Sequence, residues 1–122
     1  MQPFEGGSVG AILQGAYVAL GIVANAASQV RGARTGKFLT PVKPVHGMLM
    51  MAIYAAFAFL SARSLPAGRA GLAVVLLVIA YGGIYRHWRP PSSAAYASAC
   101  ARHVAMGINA FGVAVTVFTW VE

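Results

Sequence analysis

The sequence contains no aspartate and only two glutamates, Glu5 and Glu122, which stand near its two ends. Between them no carboxylate side chain is present for metal ligation, general-base work or cation coupling. Ion-coupled transport of the usual kind, hydrolytic di-metal chemistry and membrane kinase chemistry all need such an acid within reach. Cysteine is equally scarce. Cys100 alone excludes an intrachain disulfide, a CxxC redox pair and a multi-cysteine metal site. Charge is thin as well, at 9% of 122 residues, where a soluble domain of average make-up carries about 25%. Nine basic and two acidic side chains cannot cover the surface of a water-soluble fold of this size.

What the chain has in quantity is apolar surface, with 59% hydrophobic residues. These fall in four runs, approximately residues 9–29, 45–62, 70–88 and 94–121. Each is about as long as a bilayer-crossing helix requires at about 1.5 Å rise per residue. The expected fold is an all-α integral membrane protein, a single domain over residues 1–122 with four transmembrane helices in an up-and-down bundle. The segment from Arg31 to Pro44 holds glycines, two prolines and four positive charges and reads as a loop. A short Pro- and Gly-bearing turn around Pro66 joins the second and third helices. Trp88 and the Pro90-Pro91 pair mark the end of the third. The first run is expected to be a membrane helix and not a signal peptide, because the leader Met1 to Ser8 has no positive charge and one Glu.

The basic residues separate the apolar runs and do not gather with aromatics on one face, which argues for lipid headgroups and against nucleic acid as their partner. The first connection holds Arg31, Arg34, Lys37 and Lys43, and the third holds Arg86 and Arg89, with Arg102 just beyond; the second holds only Arg63 and Arg69. The positive-inside rule then puts the first and third connections in the cytoplasm and both termini on the outer side. A composition rich in Ala, Gly and Arg suggests a bacterial inner membrane.

Helical spacing sorts the polar residues into faces. Gln14, Tyr17, Gly21, Asn25 and Ser28 share one face of the first helix, and Arg102, Ala105, Asn109, Gly112, Thr116 and Thr119 share one of the fourth. These two faces are expected to pack on each other, with Gln14, Gly21, Asn25, Asn109 and Thr116 acting as helix-packing glue or as the lining of a pore. The third helix has no polar side chain from Leu72 to Ala80 and is expected to face lipid or a partner helix instead of a pathway. The stripe His46, Met50, Tyr54, Phe57 and Ser61 on the second helix reads as adaptable core or subunit contact.

Three histidines are present and no acid lies near them to orient one, so serine-type catalysis has no support. Cys100 and His103 share a helical turn, the spacing of a thiol and its base, but that spacing is common by chance. No catalytic residue is assigned and no metal site is expected. The more specific constellation is His46 with His103, near the same ends of two parallel helices. Two such imidazoles are candidates for the axial ligands of one haem b, with Arg86, Arg89 and Arg102 available for its propionates or for lipid headgroups. The main functional expectation is a non-catalytic accessory or anchoring subunit that packs against larger membrane subunits or copies of itself. The alternatives are a redox subunit binding haem b or a quinone, and a small oligomeric channel or carrier.

Overall fold

A computed structural model describes residues 8–90 and 92–122. These residues form an all-α membrane protein with four helices long and apolar enough to cross a bilayer: α1 (Val9–Thr35), α2 (Pro44–Ala62), α3 (Pro66–Trp88) and α4 (Ala99–Val121). Each packs on its two neighbours around a ring, α1 on α2, α2 on α3, α3 on α4 and α4 on α1, with little backbone approach across either diagonal. The pairing of α1 with α4 expected from their small and polar faces is therefore present.

The helix ends differ from the sequence reading for local reasons. The first helix does not stop at Gln29 but runs to Thr35, so Arg31 and Arg34 sit on helix and not in a loop. Nothing between Val30 and Thr35 breaks it, and glycine ends it: Gly36 takes φ 76° and donates its N–H to the Gly32 carbonyl at 2.9 Å. The second and third helices start on prolines, Pro44 and Pro66, whose fixed φ and missing N–H suit a first helical position. That moves the start of α3 four residues earlier than expected. The fourth begins at Ala99 instead of Ala94, because the Ser98 hydroxyl caps it by accepting the Ala101 N–H at 3.0 Å.

Within α3 the residues Ala80–Tyr85 form a π-helical turn, a wider winding that is rare and recurs at functional sites. The two basic connections lie together at one end of the bundle. Ala97 donates to the Leu39 carbonyl at 2.9 Å, the Lys37 ammonium donates to the Ala94 carbonyl, and Leu39 donates to the Ser28 hydroxyl at 3.0 Å. Both loops are thus tied to α1, and the basic face is a built surface.

The core is narrow and central. Tyr17, Tyr54 and Leu72 are fully buried, joined by Met51, Val75, Ile79 and Val115. Tyr17 meets Tyr54 edge-on with ring centroids 5.0 Å apart, an arrangement the ring quadrupoles favour. The Tyr54 hydroxyl bonds the Thr116 hydroxyl at 2.6 Å across the α2–α4 diagonal, and Thr116 donates in turn to the Gly112 carbonyl at 2.7 Å. Outward-facing residues such as Ile12, Leu49, Val74, Leu77 and Val121 are exposed, as a lipid-facing exterior requires.

Candidate functional site

Because the helices pack as a ring, the space along the diagonals is filled by side chains alone. The Tyr17–Tyr54–Thr116 layer fills it at mid-height and leaves a cavity toward each end. The larger, about 540 Å³, opens toward the basic face. It is of the size that holds small ligands and cofactors.

All four helices build this cavity. Gly21, Asn25 and Ser28 of α1 form one wall, His46, Gly47 and Met51 of α2 the next, and Ile79, Gly83, Arg86 and His87 of α3 the third. Cys100, Val104, Ile108 and Asn109 of α4 close it. The lining is largely apolar, and its polar groups fall at two levels. Asn109 lies deep, beside the core. Arg86, His87, His46 and Ser98 stand at the mouth.

Asn109 is the hub of the deep level. Its Nδ2 donates to the Gly83 carbonyl in the π turn at 3.2 Å and to the Ala105 carbonyl of its own helix at 3.0 Å, while its Oδ1 accepts the Tyr17 hydroxyl at 3.1 Å. The amide therefore uses both hydrogens and an acceptor site to clamp α1 and α3 onto α4. Asn25 is freer: its Nδ2 donates to the Gly21 carbonyl at 2.7 Å, leaving one amide hydrogen and its carbonyl facing the cavity wall.

His87 is the principal group at the mouth. It is 3% exposed, the one buried histidine. Its Nδ1 lies 2.6 Å from the Tyr96 hydroxyl, and the rings meet edge-on at 5.5 Å. Burial raises the Tyr96 hydroxyl above the ordinary tyrosine value, although the Arg102 and Arg86 cations pull it down. The phenol thus holds its proton at neutral pH and can donate it to Nδ1, which leaves the proton of a neutral imidazole on Nε2. Nε2 has no protein partner among the described residues and belongs to a cavity-lining side chain. Arg102 does not serve the cavity. Its Nε donates to the His87 carbonyl at 2.6 Å and its Nη2 to the Trp88 carbonyl at 2.7 Å, so it caps the end of α3.

The residues singled out in the sequence are thus divided. His46 lines the cavity but is exposed at its rim, and His103 is exposed outside the lining. The two are not brought to one cavity, as ligation of a single iron from opposite sides requires. Of the arginines, Arg86 lines the cavity, Arg89 stacks over Trp88 at 5.9 Å, and Arg102 is occupied. Gln14, Asn25, Asn109 and Thr116 do not share one path either. Asn25 and Asn109 belong to the larger cavity, Thr116 to the packed layer, and Gln14 to a second cavity beyond it. The third helix, expected to stand apart from any pathway, lines the cavity from Val78 to His87 because the π turn and its glycines face inward. His87 itself is not evident from spacing: Tyr96 follows it by nine residues across a loop, and only loop closure brings them together.

No protein family, curated protein or solved structure gives a significant match to this chain.

Proposed function

We propose that this chain is a small non-catalytic membrane subunit that holds a lipid-soluble, carbonyl-bearing molecule of the quinone type in the cavity at its basic end. The observation carrying this reading is a largely apolar cavity whose mouth is rich in donors and, among the described residues, free of acids. His87, Arg86, Ser28 and the second hydrogen of Asn25 offer donors, and no carboxylate of the described residues lines the cavity. Such a lining matches a ring with carbonyl acceptors and an apolar tail. With no carboxylate among the described residues of its lining, the cavity lacks an acid to orient His46 or His87 for base work, consistent with binding and not turnover.

The faces that suggested docking onto other proteins are used inside the bundle. Gly21 packs under Met51, and Gly112 under the Tyr17 ring. An accessory role is retained in this reading as the holding of a ligand for a larger partner, with the lipid-facing exterior as the contact surface. The distribution of basic residues supports both termini outside, so that the cavity opens on the cytoplasmic leaflet, and the Ala-, Gly- and Arg-rich composition supports a bacterial inner membrane.

Cys100 provides the test, being exposed, the single thiol and part of the lining. Titration with a fully substituted benzoquinone, which has no ring position open to thiol addition, is expected to slow Cys100 labelling by a small maleimide in a saturable manner. His87→Phe and Arg86→Gln are each expected to weaken that protection by about tenfold, the worth of one hydrogen bond to a charged or buried group. Unprotected labelling, with no quinone extractable from protein purified out of native membranes, would remove this reading in favour of a pure scaffold. An impermeant maleimide reacting only in inside-out vesicles checks the orientation.

A further inference from the structure

The larger cavity is not walled on every side. α2 and α3 meet tightly beside the turn that joins them, where Gly68 lies under the Ser61 backbone and Gly71 under the Phe57 ring. From Ala80 onward α3 packs on α4, with little backbone approach to α2. The two helices therefore part toward the basic end and leave a seam in the cavity wall, lined by Met50 on one side and by Val78 and Gly82 on the other. Val78 is 48% exposed although it lines the cavity, and a Cβ on Gly82 would meet nothing within 4 Å. The other helix pairs are covered: Asn25 packs on Gly47 between α1 and α2, Asn109 on Gly83 between α3 and α4, and the Tyr17 ring on Gly112 between α1 and α4.

Height and polarity define what the seam can pass. Met50 follows His46 by four residues and Gly82 precedes Arg86 by four, so the seam lies one helical turn, about 5.4 Å, deeper than that polar rim. Leu49, Leu77 and Tyr81, all exposed, carry its edges onto the lipid-facing exterior. None of Met50, Val78 and Gly82 has a side-chain nitrogen or oxygen. Polar groups lie further in: the free amide hydrogen of Asn25 and the Nε2 of His87. A phospholipid has the opposite order. Its headgroup would stay at the rim while its acyl chain covered Asn25 and His87 with hydrocarbon, leaving their donors unpaired. The lining instead suits a molecule with its polar end inside and its apolar end outside.

We infer that the molecule held here is a long-tailed isoprenoid quinone, with its ring in the cavity and its tail leaving between α2 and the π turn of α3, over Met50, Val78 and Gly82, into the leaflet. The inference rests on the quinone reading and narrows the ligand to a class within it. It also makes the bilayer, and not water, the phase from which the ring enters. The absent side chain at Gly82 is then the doorway, and the wide π winding is what turns α3 away from α2 at that height.

The test compares two probes on the full chain in nanodiscs: the tail-less, fully substituted benzoquinone and the same ring carrying a long isoprenoid tail. Protection of Cys100 from maleimide is read in the parent and in Gly82→Leu, a variant for which the open space at Gly82 leaves room and whose thermal midpoint checks the fold. Gly82→Leu is expected to weaken protection by the tailed ring about tenfold, as a blocked path predicts, and to leave the tail-less ring unaffected. A diazirine on the first isoprene unit is expected to crosslink Met50 or Val78, read by peptide mass spectrometry. Crosslinks confined to Thr40, Val42 or Ser98 at the cavity's loop end, or a Gly82→Leu effect that is absent or equal for both probes, would overturn the tail path and leave the quinone reading standing. Protection by neither probe would remove that reading and this inference together. Phosphatidylglycerol retained by the parent in native mass spectrometry, and lost in Gly82→Leu, would give the seam to a phospholipid instead.

Discussion

The Tyr17 hydroxyl donates to Asn109 Oδ1 at 3.1 Å, joining α1 to α4 at the floor of the larger cavity. Asn109 also holds the Gly83 carbonyl of α3. Replacing it by leucine leaves a phenol and a backbone carbonyl unpaired in an apolar interior. Asn109→Leu is therefore expected to destabilise the protein by about 2–4 kcal/mol, and Tyr17→Phe, which removes one bond, by about 1 kcal/mol. Unfolding in mixed micelles by a denaturing detergent would measure both. Equal losses would show that Asn109 does not clamp three helices.

Gly112 lies directly under the Tyr17 ring. A Cβ there would stand 2.4 Å from ring atoms, and Tyr17 is 0% exposed, with Tyr54 edge-on against it. The ring has no free volume to yield. Gly112→Ala is expected to cost about 1–3 kcal/mol by forcing α1 from α4, seen as a lowered thermal midpoint. At Gly107, where a Cβ would meet nothing, the same change is expected to be neutral or stabilising.

Arg102 closes α3 by giving two donors to consecutive carbonyls. A lysine keeps the charge but lacks the planar fork. Arg102→Lys is expected to increase amide hydrogen exchange over residues 86–89 without altering the centre of the helix, and Arg102→Ala to do so more strongly. Unchanged exchange in both would mean that the π turn alone fixes this end.

Tyr96 ties pH to stability. Its hydroxyl value is raised in the folded state by burial, so folding favours the protonated phenol. That contribution is complete below the unfolded value near 10 and is lost as pH rises through the folded one, because between the two values the native state still holds a proton that the unfolded state has released. Stability above about pH 10 is expected to fall less steeply in Tyr96→Phe than in the parent. Parallel curves would remove Tyr96 from the titration. Below that pH the variant should lose the bond to His87 and with it part of the quinone protection of Cys100.

The four-helix membrane fold follows from the sequence alone, because four apolar runs separated by Pro, Gly and basic residues have one low-energy answer in a bilayer. The inward faces of α1 and α4 were equally legible, since a helix repeats its faces every three to four residues and amides avoid hydrocarbon. Only the tertiary structure decided what those faces do. It spent Asn109 and Gly112 on internal packing and placed Gln14 and Asn25 in separate cavities on either side of the tyrosine layer. It also brought His87 to Tyr96, across a loop whose closure no periodicity encodes. Spacing along one helix fixes which residues look the same way; what stands opposite them depends on how four helices close into a ring, and that is set by packing between distant segments.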